Sequence, residues 1–246
     1  MDLDNRLVKG LNKQGITKMT GIQEDCFKPA LEGKNIIACS GTGTGKTLAF
    51  LLPVIMKNID NKELYAVVIT PSKELCIQIC FSIRTNSKQL FSGVNKQRQL
   101  QTLKSKPNIV VGTYQRIYEL IKEDRKLAAH QVKTLIIDEA DKILNKDNID
   151  GITALRKCFM RDIQVMLFSA SVTDNTRTLA GQIGADYVNI TTGDKITIPT
   201  NIEHYYFTVE KRELIETVRK VIKALDTKHC LIFSNSKYDI EEITQK

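Results

Sequence analysis

The residues best suited to chemistry are Ser40-Gly41-Thr42-Gly43-Thr44-Gly45-Lys46-Thr47. Glycines spaced this way let the backbone curl so that successive N–H groups point inward and cradle phosphate oxygens. An apolar run, Asn35 to Cys39, leads in, and Leu48-Ala49-Phe50-Leu51-Leu52 leads out. That order predicts strand, loop, helix, with the helix N-terminus adding free N–H groups and partial positive charge. Lys46 is placed to reach terminal phosphates and the Thr47 hydroxyl to meet a magnesium ion. The strict pattern has glycine where this chain has Ser40, and the plain alternative is a glycine-rich turn.

A second chemical pair, Asp138-Glu139, closes the apolar run Thr134-Leu135-Ile136-Ile137. Phosphate-cleaving enzymes need one carboxylate to hold magnesium and a second group to orient or deprotonate water. Adjacent acids at a strand end suit both roles, whereas acids opening a helix are favourable for its dipole alone. Between Glu74 and Glu119 there is no acidic residue, while Arg84, Lys88, Lys96, Arg98, Lys104, Lys106 and Arg116 fall in that interval. One-signed charge suits a phosphate backbone or a merely solvated face. Aromatic residues such as Phe81, Phe91 and Tyr114 are sparse in the interval, too few for base stacking to be the expected mode.

These groups need a scaffold. Residues 5–14 read as a helix, and Gln23 opens a second that stops at Gly33. Apolar runs at Ala66–Thr70, Asn108–Gly112, Thr134–Asp138 and Ile163–Phe168 alternate with helical stretches. Such alternation predicts a mostly parallel sheet covered by helices on both faces. Ligands of these sheets bind at the carboxyl ends of strands, where the polar clusters fall. Pro53 is expected to bend the helix after the loop. Thr191-Thr192-Gly193-Asp194-Lys195, with Pro199, reads as a linker, after which His204–Val209, residues 211–225 and Cys230–Asn235 read as strand, helix, strand.

With 246 residues, 42% hydrophobic and 26% charged, the chain has an ordinary globular composition. Its net charge of +8 favours a polyanionic partner. The six cysteines include no CxxC pair, and reduced, buried thiols are expected rather than a metal site at Cys76 and Cys80. No apolar run approaches the ~20 residues of a membrane span, and Met1-Asp2-Leu3-Asp4 has no signal-peptide shape. An intracellular, cytoplasmic setting is the expectation.

Taken in order, the motifs resemble the DEAD-box RNA helicase family over essentially the whole chain. Met19-Thr20-Gly21-Ile22-Gln23 resembles its Q motif, and Ser40 to Thr47 its motif I with Ser40 for alanine. Pro71-Ser72-Lys73-Glu74-Leu75 is similar to PTREL, Ser92-Gly93 to a double glycine, and Thr113-Tyr114-Gln115-Arg116 to TPGR with the middle two residues changed. Asp138-Glu139-Ala140-Asp141 is DEAD, Ser169-Ala170-Ser171 stands for SAT, and Leu231-Ile232-Phe233 resembles the first motif of a second RecA-like domain.

The resemblance implies a RecA-like P-loop NTPase domain at 1–197 and the beginning of a second, incomplete α/β domain at 198–246. It implies ATP and Mg2+ as cofactors and RNA as a partner held by its backbone without sequence preference. Gln23 would read the adenine edge, and Gly41, Thr42, Gly43, Thr44, Gly45, Lys46 and Thr47 would bind the nucleotide. Thr47 and Asp138 would hold the metal, with Lys46 and Glu139 catalytic. Pro71, Ser72, Lys73, Gly93, Thr113 and Arg116 would touch RNA, and Asp141, Ser169 and Ser171 would couple the two ligands. The arginines that complete the family's ATP site belong to later motifs, so the 246 residues are expected to bind nucleotide, hydrolyse it poorly and not unwind duplexes. Two alternatives stand beside an ATP-dependent helicase. One is a GTPase, for which Asn145-Lys146-Asp147-Asn148 lacks the final aspartate of the base reader. The other is a non-catalytic RNA- or protein-binding fragment.

Overall fold

The computed structural model describes residues 3–82, 87–93, 95–143, 146–192, 202–235, 240–241 and 243. The chain divides into two compact units, Met1–Ile196 and Thr197–Lys246. Arg84, Asn145, Gly193–Lys195 and Pro199 lie outside the described residues.

The first unit holds a seven-stranded sheet of β1 (Asn35–Ser40), β2 (Ala66–Ile69), β3 (Ser87–Leu90), β4 (Ile109–Gly112), β5 (Thr134–Ile137), β6 (Gln164–Ser169) and β7 (Tyr187–Thr192). Every pairing is parallel, in the order β3-β4-β2-β5-β6-β1-β7. The central strands are buried on both faces because each face carries its own core. Ile36, Ala38, Val68, Ile136, Met166 and Phe168 face α2 (Gly21–Leu31), α3 (Lys46–Lys57) and α4 (Lys73–Ser82). The alternate residues Ile37, Ile69, Val110, Leu135, Ile137, Val165 and Leu167 face α6 (Tyr114–Lys122), α7 (Ala140–Ile143), α8 (Lys146–Arg156) and α9 (Asp174–Ile183). Period-two alternation thus serves two cores, which is why these strands read as continuous apolar runs. Phe50 of α3 meets Phe168 of β6 edge to face, centroids 5.1 Å apart, a geometry that ring quadrupoles favour. Short α1 (Asn5–Asn12) and α5 (Lys96–Leu103) also belong to this unit.

Local signals account for several boundaries. Gly33, at φ +79°, closes α2 by donating to Ala30 O (3.1 Å), while Lys34 donates to Pro29 O (3.0 Å). That pairing satisfies two end carbonyls in a left-handed turn that glycine adopts without steric cost. Pro53 lies inside α3, which runs on through it to Lys57. Gly112 has another reason. A Cβ there would run into the carbonyl oxygen of Leu90 and come within 3.1 Å of the Ile117 side chain. Gly112→Ala is therefore expected to cost about 3 kcal/mol by forcing β3 away from β4, read as a lower urea midpoint.

Four expectations are corrected. Thr191 and Thr192 do not belong to a linker; they end β7, paired with Cys39 and Ser40 of β1. The helix after Gly15 begins at Gly21, two residues before Gln23. Asn148 sits in α8 rather than in a polar loop. In the second unit α10 (Leu214–Ala224) forms, but neither His204–Val209 nor Cys230–Asn235 pairs into a ladder. Tyr206 is 92% and Phe233 90% exposed, and two strands without further partners do not sustain a sheet. All six cysteines are free thiols; Cys26 and Cys76 are buried, Cys39, Cys80 and Cys158 partly so, and Cys230 is exposed.

Candidate functional site

The strand order sorts the candidate residues. The carboxyl ends of β1, β6 and β5, three neighbouring strands, lead to Lys46, Ser169 and Asp138. Those of β2, β4 and β3, toward the other edge of the sheet, lead to Lys73, Thr113 and Gly93. At about 4.8 Å per strand, β4 and β1 lie roughly 19 Å apart.

At the end of β1 the chain turns through Gly43 (φ +79°) and Gly45 (φ +94°) before α3 begins at Lys46. Ser40 is buried, and its hydroxyl donates to Thr44 Oγ1 (2.6 Å), which donates to Gly41 O (2.8 Å). Serine in place of alanine thus ties the loop to itself. Lys46 Nζ donates back to Ser40 O (2.6 Å) and Gly41 O (2.8 Å), spanning the loop's mouth. Thr47 opens the first turn of α3 at intermediate burial.

Gln23 is 3% exposed. Its Oε1 accepts from Thr20 N (3.1 Å) and its Nε2 donates to Gly45 O (3.1 Å), linking the start of α2 to the phosphate-type loop. A Cβ at residue 45 would collide with this amide, so Gly45 is needed for the approach as well as for its φ. One hydrogen on Nε2 and one lone pair on Oε1 are not used by these two bonds. The Thr20-x-x-Gln23 spacing is a capping-box signature and was readable from sequence.

At the end of β5, Asp138 N still donates to Ile69 O (2.9 Å), and its carboxylate accepts from Glu139 N (2.9 Å). Burial raises the Asp138 carboxyl to about 6, with Glu139 and Asp141 adding repulsion and Lys46 opposing them. Glu139 has φ +49°, a left-handed backbone that costs a non-glycine residue of order 1 kcal/mol or more. Its carboxylate pairs with Lys142 Nζ (2.9 Å), a partner that sequence reading missed. Asp141 N donates to Ser169 Oγ (3.3 Å), and Ser171 Oγ donates to Asp141 Oδ2 (3.3 Å). Ser169 Oγ donates to Ser171 O (2.6 Å). The structure therefore joins Asp141, Ser169 and Ser171 in one network across β5 and β6.

In the other group, exposed Lys73 holds its Nζ 5.5 Å from the centroid of the Phe91 ring. Beside it follow Pro71 and Ser72, whose Oγ accepts from Leu75 N (3.2 Å). Gly93 takes φ +84°, and Thr113 caps α6 with its N–H on Leu90 O (3.1 Å). Arg116 is placed differently: it is 7% exposed, with Nε 3.3 Å from Glu119. Lys96 also pairs with Glu119 and with Asp124. The acid-free interval is therefore not one basic stripe, because acids just past its end turn back onto two of its cations. Among the described residues no cluster of His, Cys, Asp or Glu forms a metal-binding group of three or more, and no helix is long and apolar enough to cross a membrane.

Residues 20–179, spanning every loop just described, match the DEAD/DEAH box helicase family. The chain belongs to the DEAD/DEAH box helicase family. The DEAD-box ATP-dependent RNA helicase CshC of Bacillus cereus is 34% identical over 255 residues, covering 100% of this chain and 64% of that protein. The ATP-dependent RNA helicase CshA of Listeria monocytogenes is 33% identical over 252 residues, 99% of this chain and 48% of that protein. Among solved structures, a DEAD box protein from the hyperthermophile Methanococcus jannaschii superposes with TM-score 0.73 at 29% identity, over 100% of this chain and 68% of that one. DEAD-box helicase Mss116 bound to ssRNA and UDP-BeF shares the fold at TM-score 0.75 and 24% identity, over 91% of this chain and 51% of that one. The chain thus spans about half to two thirds of the length of these relatives, and its sheet is the RecA-like sheet of the family.

Proposed function

We propose that this chain supplies the ATP-binding, RNA-contacting half of an ATP-dependent RNA helicase that remodels short RNA duplexes. The observation that carries the reading is the convergence of Lys46, Asp138-Glu139 and the Asp141–Ser169–Ser171 network on three adjacent strand ends, beside a separate basic group. The relatives' names supply RNA and ATP.

In this reading Lys46 leaves the carbonyls of Ser40 and Gly41 and turns its three donors to the terminal phosphates. The loop N–H groups and the α3 N-terminus hold the rest. Gln23 keeps its bond to Gly45 and presents its remaining donor and acceptor to adenine. Asp138 and Thr47 fit a magnesium ion: a buried carboxylate with its pKa raised gains most from a nearby cation, and both ligands are oxygen donors. The bound ion would draw charge from the phosphate oxygens. Glu139, released from Lys142, orients the attacking water and accepts its proton as the bond to the terminal phosphorus forms and the bond to the leaving oxygen breaks. Residues 198–246 would begin the second RecA-like domain, whose arginines complete the site in the resembling family.

RNA would be held through its phosphates by Lys73, Ser72, Gly93 and Thr113, with Arg116 supporting α6 from inside. Binding to single-stranded RNA should then be sequence-tolerant and salt-sensitive. Lys73→Ala is expected to lower the slope of log K against log salt by about 1 and weaken all sequences alike. Titrating labelled oligonucleotides of two unrelated sequences at several salt concentrations measures both. A strong preference for one sequence at fixed salt would overturn the reading. ATP turnover by this chain with and without RNA decides between an enzyme and a binding fragment. Low basal turnover without strand displacement is expected, and robust unwinding by these residues alone would refute the division of labour.

A further inference from the structure

The Tyr114 hydroxyl donates to Asn148 Oδ1 (2.8 Å), and Asn148 Nδ2 donates to Ile143 O (2.8 Å). Tyr114 opens α6 immediately after Thr113, at the end of β4. Ile143 is the last residue of α7, the single turn that follows Asp138-Glu139. Two hydrogen bonds therefore span from the candidate RNA loop to the acidic turn, past the intervening strand β2. We propose that Tyr114 and Asn148 form a strut through which the loop after β4 positions the Asp138–Asp141 turn, making both of them positioning residues for the ATP site.

The placement suits transmission in three ways. The Tyr114 ring lies against Gly151 of α8, where a Cβ would come within 2.7 Å of it, so the ring is seated closely and its hydroxyl is aimed. The far end of the strut is a single helical turn. Turn α7 is closed by Lys142 N and Ile143 N donating to Glu139 O (2.9 and 3.2 Å). It hinges on Glu139, whose φ of +49° makes the turn the strained segment of this edge. A pull on Ile143 O is therefore felt first at Glu139 and Asp141. Tyr114 and Gln115 are also where the chain departs from TPGR, and a proline at residue 114 could make no such bond. Asn148, the near miss of a guanine-reading motif, acquires a different use.

The proposal rests on the reading that the loop after β4 contacts RNA. Its test is hydrogen exchange at the Lys142 and Ile143 amides of the whole chain, with and without an oligouridylate. RNA is expected to change wild-type exchange at these two amides by roughly fivefold or more, the scale of one net hydrogen bond. Tyr114→Phe, which keeps the ring against Gly151, should cancel that change while leaving RNA affinity intact. Asn148→Ala should do the same, and the double variant should be no worse than either single one, as expected for two members of one link. A full RNA response in Tyr114→Phe overturns the strut. So does an unresponsive wild-type α7 in a chain that binds RNA, and so does an equal loss of RNA affinity and thermal stability in every variant, which would mark a structural brace. A wild-type chain that binds no RNA refutes the proposed function itself, and the strut falls with it.

Discussion

Asp138→Asn is expected to make the ligand-free protein more stable, by about 3 kcal/mol at pH 7, and to end whatever nucleotide hydrolysis it performs. The carboxyl is 3% exposed, and burial raises it from 3.8 to about 6. A difference of about 2 units corresponds to roughly 3 kcal/mol between the protonation states. The sign follows from proton binding. Between about pH 4 and pH 6 the folded protein holds a proton that the unfolded chain has released, so stability is lost as pH rises through that window. Above it the folded state carries the full cost of a buried charge. Asparagine keeps the acceptor for Glu139 N and removes the charge. The stability difference between variant and wild type, from urea unfolding followed by circular dichroism, should be near zero at pH 4 and largest above pH 6. A variant less stable than wild type at pH 7 would contradict the argument. Such a trade of stability for charge is what a cation-binding carboxylate demands.

Lys46→Ala should leave the fold nearly intact and weaken ATP binding by about 100-fold. The ammonium is only partly buried, and in the ligand-free protein its two bonds go to loop carbonyls that water can satisfy instead. Against phosphate the same group makes charge-assisted hydrogen bonds, each worth about 1.5–3 kcal/mol. Losing about 3 kcal/mol gives the stated factor. Calorimetric titration with ATP and magnesium measures it, with a thermal melt as the check on folding. Equal affinity in both proteins would remove Lys46 from the site. Because Ser40, Thr44 and Gly41 hold the loop together without Lys46, a collapsed loop is not the expected cause of any loss.

The sequence alone determined a good deal. β1, β2, β4, β5 and β6 were legible because each is buried on two faces and reads as an apolar run. The chemistry at their ends was legible because phosphate chemistry needs glycine, lysine and paired acids at fixed local spacing. The edge strands escaped. Ser87–Leu90 and Tyr187–Thr192 are largely polar or partly exposed, and their identity as strands comes from the neighbours that bond them.

What only the tertiary structure decided is a matter of partners distant along the chain. Lys96 looked like a member of a basic run until the fold brought Glu119 and Asp124 to it. Gln23 is seated by Gly45, 22 residues away, and Tyr114 by Asn148, 34 residues away. The order β3-β4-β2-β5-β6-β1-β7, which separates the two groups of loops, is likewise absent from any local stretch. Local spacing fixes what a backbone segment can do by itself. Which charge is neutralised and which amide is already engaged depends on hydrogen bonds and ion pairs that form only when the helices close over the sheet.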